Sequence, residues 1–290
     1  MRRSLPIVLG LLAACAASES GIVEPALVQP NVISTDDAEF ALTYEADGAA
    51  YFNRIIPGEQ IHIWVAADRA AEPVRIAFSD PRYADLDPHV SPLGDRLYFS
   101  SDRPRPGRDE ESPEIDMNTW MARKTDTGWS APEFAGAAIN SELDEVFVTE
   151  DLSGTLYFAR FGEGEGRARP TVIMSAKRTA GGFTEPEALA TRPADLRLSN
   201  PAISPDGRLL VTAGSAEPGA PPDLFLSLRS TSGAWSAFEA LPAPINTAEH
   251  AEFAPGFSPD GRRLYFSSDR NGDRDIFVHR ADQLWRDWED

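Results

Sequence analysis

Carboxylates recur at a regular place in this 290-residue chain. Glu39, Asp85, Glu145 and Glu252 each stand nine residues before a glycine, and Leu198 stands at the same distance before a fifth glycine. Four acids brought together would attract a cation or a basic partner, because clustered negative charge concentrates positive ligands. Alternatively, each acid accepts hydrogen bonds from backbone amides and fixes one structural unit against the next.

A second set of oxygen ligands lies near the C-terminal end. Asp269, Asn271, Asp273 and Asp275 occupy alternate positions around a glycine. Ca²⁺ prefers a dense set of such oxygens. This loop lacks the distal glutamate of an EF-hand loop, and its own arginines can neutralise it. We therefore expect a polar hairpin and no cofactor, with Ca²⁺ at this loop as the alternative.

The glycines that follow the acids belong to an internal repeat of about fifty residues. Successive glycines are separated by 46, 60, 53 and 54 residues, which suits one four-stranded blade per repeat. Each turn glycine supplies the positive φ that a tight hairpin needs. No sustained helical period follows residue 14, which favours an all-β body. The sequence therefore predicts a five-bladed β-propeller of four-stranded antiparallel blades over residues 36–290, with six blades as the alternative.

The repeat also predicts where the outer strands lie. Third strands are expected at residues 60–66, 117–124, 171–178, 223–229 and 275–280. Fourth strands are expected to open on Trp129, Phe183, Trp235 and Trp285, which we interpret as core anchors. Innermost strands of a propeller begin at the mouth of its central channel, so the four acids are expected to ring that mouth. We predict that Glu145 and Glu252 are structural, whereas Glu39 and Asp85 are available to a partner.

The repeat resembles that of TolB-like, or WD40-like, propellers over roughly residues 38–290. Its best copies combine an Asn-Pro or Ser-Pro-Asp-Gly element with a following Leu-Tyr-Phe-Ser-Ser-Asp-Arg element. These copies are Asn200-Pro201-Ala202-Ile203-Ser204-Pro205-Asp206-Gly207 and Ser258-Pro259-Asp260-Gly261 with Leu264-Tyr265-Phe266-Ser267-Ser268-Asp269-Arg270. The resemblance implies a periplasmic protein with envelope partners, although members of such a fold share structure better than function.

Signatures of common enzymes are missing from the sequence. It contains no Gly-x-Ser-x-Gly elbow, phosphate-binding loop or His-Glu-x-x-His motif. Asp87-Pro88-His89 is similar to a motif of five-bladed glycosidases, enzymes that use a pair of carboxylates. Asn200-Pro201 occupies the same place in the repeat, which indicates that this proline belongs to the fold. We therefore expect a binding or scaffold module, with glycoside hydrolysis as the alternative.

The N-terminal residues predict export. Arg2 and Arg3 precede an apolar run of about ten residues, whereas a membrane-spanning helix needs about twenty. The sequence Leu12-Ala13-Ala14-Cys15 resembles the lipobox of bacterial lipoproteins, and a plain secretory signal is the alternative. We predict a signal peptide at residues 1–14, an acylated Cys15 and a tether at residues 15–35. The expected location is the cell envelope, with the lipid in the outer membrane and the body in the periplasm.

The charge and composition of the chain limit the classes of partner that it is expected to bind. The net charge is −19, and no basic run follows the signal, so nucleic-acid binding is not expected. Because Cys15 is the single cysteine, no disulfide can form within the chain. Long loops at residues 102–116 and 161–170 should share the face that carries the acids, and such loops often bind ligands. We expect a monomer that binds an envelope protein or a cell-wall glycan.

Overall fold

The computed structural model describes residues 24–108, 116–164, 169–189, 196–215 and 220–284. These residues form five antiparallel sheets arranged as the blades of a β-propeller. Within these ranges the one helical element is a short 3₁₀ turn, Ala281–Gln283. The prediction of an all-β, five-bladed propeller is confirmed.

Strands are numbered β1 to β22 in chain order. Innermost strands are Ala38–Tyr44 (β2), Asp85–Val90 (β6), Asp144–Glu150 (β11), Arg197–Ile203 (β16) and Glu252–Phe257 (β20). Second strands are Ala50–Ile55 (β3), Arg96–Ser101 (β7), Thr155–Phe161 (β12), Leu209–Ser215 (β17) and Arg263–Ser268 (β21). Third strands are His62–Ala66 (β4), Asn118–Thr125 (β8), Thr171–Thr179 (β13), Asp223–Leu228 (β18) and Asp275–Arg280 (β22), close to the predicted ranges.

The outermost strands are only two residues long. They are Val74–Arg75 (β5), Glu133–Phe134 (β10), Glu187–Ala188 (β15), Glu239–Ala240 (β19) and Ala26–Leu27 (β1). Two further short strands, Gly128–Trp129 (β9) and Gly182–Phe183 (β14), extend the third strands of blades 2 and 3. Short outer strands limit the exposed edge that each blade offers to another chain.

An N-terminal strand closes the ring. β1 pairs with β22, so it is the outermost strand of blade 5. Val28 and Ile33 are buried in a cluster that joins blade 5 to blade 1. The expectation of a tether up to residue 35 is therefore wrong for residues 26–34, because apolar burial and strand pairing hold them in the propeller. Residues 1–23, including Cys15, and Trp285 lie outside the described residues.

Aromatic side chains connect neighbouring blades. Trp129 lies on the strand extension before the true outer strand, and its ring packs edge-on against Tyr51 of blade 1, with centroids 6.1 Å apart. Trp235 packs in the same way on Tyr157 of blade 3, at 5.9 Å. Phe183 packs against the cluster between blades 2 and 3. These aromatics are core anchors as predicted, but they precede the fourth strands because a hairpin extension intervenes.

Candidate binding site in the central channel

Every innermost strand carries the same irregularity. Its ladder with the second strand shifts register, and one residue in the shift has a left-handed φ between 46° and 59°. Such a bulge redirects the side chain that carries it. The five residues are Ala41, Asp87, Phe147, Asn200 and Ala254. All five line one central cavity, which makes them a ring around the channel, called here the bulge ring.

The wall of this cavity is mixed in character. Thr43, His89 and Thr149 supply polar atoms one step beyond the bulge ring. Leu42, Val148, Ala202, Phe257 and three prolines supply apolar surface. In the part of the chain that the structure describes, the lining includes neither lysine nor arginine. The cavity is therefore a narrow, partly apolar space in which few groups can carry charge.

Asp87 is the carboxylate of the bulge ring. Its backbone N–H donates to Asn53 Oδ1 at 2.7 Å, which helps to hold the bulge in place. Its side chain is only 8% exposed, and Oδ1 accepts no hydrogen bond from any of the described residues. Burial raises the pKa of Asp87 to about 7. The channel thus contains a carboxyl group that is ready to ionise near neutral pH and has no cation beside it.

His89 lies two residues further along β6 and is neutral. The backbone N–H of Glu150 donates to His89 Nε2 at 2.9 Å, so the ring proton belongs on Nδ1, which lies 3.5 Å from Thr149 Oγ1. Burial lowers the pKa of His89 to about 4. An uncharged imidazole therefore faces the channel and does not neutralise Asp87.

The four acids predicted at the channel mouth are paired inside their own blades. All four are fully buried, and none lines the central cavity. Each accepts from an arginine of its own blade. The pairs and their N–O distances are Arg54–Glu39 at 2.8 Å, Arg103–Asp85 at 2.7 Å, Arg160–Glu145 at 2.7 Å and Arg270–Glu252 at 3.0 Å.

These pairs also fix the connector between blades. In blade 3, the Ser141 backbone N–H donates to Glu145 at 2.8 Å, while Arg160 donates to the Ile139 carbonyl at 3.1 Å. Thr35 and Thr247 donate to Glu39 and Glu252 in the same manner. The connector therefore cannot move without breaking a buried network.

The expected availability of Glu39 and Asp85 to a partner does not match this structure. Burial raises the pKa of both carboxyls, and their arginines oppose that effect. Both side chains are fully enclosed, as those of Glu145 and Glu252 are. The four acids thus share one structural environment, because each needs its arginine to offset desolvation.

Blade 4 has an apolar pair in place of the ion pair. Leu198 is buried and lies opposite Gly214 in the ladder between β16 and β17. A side chain at Gly214 would collide with Leu198, since an added Cβ would lie 2.7 Å from its methyl group. The position is therefore filled by packing alone.

Sequence reasoning missed the arginines, although a signal for them exists. Each arginine follows its acid by 15 residues in blades 1 and 3 and by 18 residues in blades 2 and 5. Where Leu198 replaces the acid, the residue 15 positions later is Ala213. An acid nine residues before a turn glycine, followed by an arginine 15 or 18 residues later, therefore indicates a buried ion pair.

The oxygen-rich loop of blade 5 is partly used within the protein. Asp269 Oδ1 accepts from the Ala251 backbone N–H at 3.0 Å and lies 3.3 Å from His250 Nδ1. Asp275 is buried and takes a hydrogen bond from Asn271, while Asp273 is exposed. Within the described ranges, no group of three or more His, Cys, Asp or Glu side chains is placed to hold a metal ion. The expectation of a polar hairpin without calcium, and the alternative of a Ca²⁺ site, both stay untested.

Comparisons with known proteins concern the fold. No family model matches the sequence. No curated protein matches it either. A thermostable family-43 glycoside hydrolase is similar at 12% identity with a TM-score of 0.54, over 86% of this chain and 91% of that one. A protein of unknown function from Dyadobacter fermentans is similar at 13% identity with a TM-score of 0.50, over 88% and 97%.

TolB proteins are also among the structural neighbours. A putative TolB from Agrobacterium tumefaciens is 19% identical over 81% of this chain and 71% of that one, with a TM-score of 0.47. At these identities the likenesses describe architecture and leave the activity open. Separately, no helix in the described ranges has the length and apolar character needed to cross a membrane.

Proposed function

We propose that this chain is a binding module of the cell envelope that admits a ligand into its central channel and does not hydrolyse it. One observation carries the proposal: among the described residues that line the central cavity, Asp87 is the single carboxylate. Glycoside hydrolysis uses two carboxyl groups on either side of the scissile bond, about 5 to 9.5 Å apart. The other bulge-ring positions hold alanine, phenylalanine and asparagine.

The four buried acids nine residues before the turn glycines are poorly suited to serve as the second carboxyl group. Glu39, Asp85, Glu145 and Glu252 lie outside the cavity lining and are neutralised by arginines. A general acid must reach the substrate and exchange its proton. Side chains that are sealed within a blade have no such access. This leaves a cavity suited to binding.

The envelope location rests on the N-terminal sequence. A charged start, a short apolar run and Leu12-Ala13-Ala14-Cys15 support a lipid anchor on Cys15, and several acyl chains would hold the protein on a membrane. Metabolic labelling with palmitate should mark the wild type, and Cys15→Ala should release the protein from the membrane fraction. An unlabelled wild type would refute the anchor. An envelope protein or a cell-wall glycan is the proposed partner.

Hydrolysis is the second candidate because of Asp87 itself. Catalytic carboxyl groups are often tuned by burial to titrate near neutral pH, as burial does for Asp87. Purified protein should be incubated with plant-type and cell-wall glycans, beside Asp87→Asn and the exposed-turn variant Asp206→Asn as a control. We expect no product from any of the three. Turnover by the wild type and Asp206→Asn that Asp87→Asn loses would establish a hydrolase and refute the binding proposal.

A further inference from the structure

The channel holds an uncompensated acid. An isolated carboxylate is costly to bury, so buried acids are paired, coordinated or protonated. The four arginine-paired acids follow this rule, whereas Asp87 has no described partner at Oδ1. The described residues that line its cavity include no lysine or arginine. A ligand that brings its own positive charge would complete the site.

The walls indicate what kind of cation fits. A hard ion such as Ca²⁺ needs six to eight oxygen ligands, whereas the side chains of this cavity offer one carboxylate, two threonine hydroxyls and one amide. Phe147 occupies the same bulge ring, and an aromatic face attracts organic cations. Leu42, Ala202 and Phe257 can cover a hydrocarbon stem. We propose that the central channel binds a linear alkylammonium ligand, with the ammonium at Asp87 and the alkyl chain against the apolar walls.

Space for the alkyl chain continues beyond the bulge ring. A second cavity shares Thr43, His89 and Phe257 with the first. It runs to the hairpin turns between innermost and second strands, where proline side chains and Leu93 line it. Leu93 is 61% exposed at this rim, so the hairpin face offers an apolar entrance. Glu150 also lines this second cavity, but Arg178 lies 2.9 Å from its carboxylate. A linear chain with one charged end therefore matches a passage that leads to one acid without an arginine partner, Asp87.

The remaining titratable groups along the passage do not oppose a cation. His89 is neutral because burial lowers its pKa to about 4. Glu150 lies beside Arg178 at 2.9 Å, and burial raises the pKa of Tyr44 to about 12, which keeps that hydroxyl neutral. The innermost strands of blades 4 and 5 bring no charged residue to either cavity. Burial also raises the pKa of Glu150, but the charge of Arg178 opposes that effect. Asp87 has no such basic partner in the lining, so it is the group that should set the pH dependence of binding.

Calorimetry on the purified full chain in detergent tests the proposal, which rests on the binding function proposed above. n-Hexylamine should bind saturably and at least about tenfold more tightly than n-hexanol, and n-hexanoate should not bind. Asp87→Asn should weaken hexylamine binding at least about tenfold. Asn200→Asp, which adds a carboxylate to the bulge ring in blade 4, should strengthen it. Asp206→Asn, in an exposed turn, is the matched control.

The pH dependence of hexylamine binding provides a second test of the proposal. Hexylamine stays protonated, so its binding should weaken from about pH 8 to about pH 6 as Asp87 takes up a proton. Equal affinity for amine and alcohol, or unchanged amine binding by a cooperatively melting Asp87→Asn, would overturn the proposal. If neither amine binding nor glycan hydrolysis occurs, this inference fails and the binding function stands. If glycans are hydrolysed, the binding function fails whatever the amine does.

Discussion

Asp85 and Asp87 lie two residues apart on β6 and have opposite surroundings. Asp85 is fully buried, and Arg103 donates to both its oxygens at 3.1 and 2.7 Å. Asp87 is nearly as buried, but its Oδ1 has no partner among the described residues. The comparison teaches that burial alone does not distinguish a structural acid from a site acid in this fold. The presence or absence of an arginine does.

The bulge explains why the two acids diverge. Residues two apart on a regular strand point to the same face. Between Leu86 and His89 the ladder shifts register, and Asp87 adopts a φ of 54°. Asp85 therefore faces Arg103 within the blade, whereas Asp87 lines the channel.

Removing an arginine should have the largest effect on this comparison. Arg160→Ala would leave Glu145 charged and buried, and breaking a buried pair costs about 3 to 5 kcal/mol. The free energy of unfolding from urea titration measures this loss. As a control, Arg280→Ala should leave the midpoint unchanged, because Arg280 pairs with Asp282 at the surface. A midpoint for Arg160→Ala equal to that of the wild type would show that the pair does not hold the blade.

Asp87 and His89 should make the free energy of unfolding depend on pH in opposite directions. The raised pKa of Asp87 makes a stabilising contribution that is complete below about pH 4 and is lost as the pH rises through about 7. The lowered pKa of His89 makes a stabilising contribution that is complete above about pH 6.5 and is lost as the pH falls through about 4. Over the shared window these slopes largely cancel in the wild type.

Replacing one of the two groups should reveal the pH dependence of stability that the other group causes. In Asp87→Asn the free energy of unfolding should rise between about pH 4 and about pH 6.5, as His89 alone dictates. In His89→Gln it should fall between about pH 4 and about pH 7, as Asp87 alone dictates. Each change should amount to about 3 kcal/mol, from about 1.4 kcal/mol per pKa unit. Parallel pH profiles for the two variants would contradict the assignment of these groups.

A smaller effect is expected when a whole pair is replaced. Blade 4 already uses Leu198 in place of an acid, so the double variant Glu39→Leu/Arg54→Met should cost less than about 2 kcal/mol. Either single change should cost more, because it leaves one buried charge without its partner. Urea titration of the three variants decides the point. A double variant as unstable as the worse single variant would show that the ion pair itself is required.

The sequence was sufficient for the architecture and insufficient for the site. Turn glycines and apolar alternation predicted five blades and the third strands, because local backbone preference and burial determine both. The bulges escaped prediction, because their left-handed residues include Ala41 and Phe147, types that rarely adopt that conformation. Without the bulges, pattern reasoning places the acids nine residues before the glycines at the channel mouth, and it assigns Pro88 to the repeat without identifying Asp87 as a channel residue.

Ring closure was missed for a related reason. The strand Ala26–Leu27 is only two residues long, and its partner Asp275–Arg280 lies at the other end of the chain. Periodicity over two residues carries no signal, so a long-range pairing of this kind is invisible to pattern reasoning.

One paired measurement tests the central claim that arginine pairing separates structural acids from the site acid. Melting temperatures of Asp85→Asn and Asp87→Asn should be compared with the wild type at about pH 8, where Asp87 is ionised. The account predicts opposite signs: Asp85→Asn melts lower because Arg103 loses its buried partner, and Asp87→Asn melts higher because an unpaired buried charge is removed. Two shifts of the same sign would contradict it.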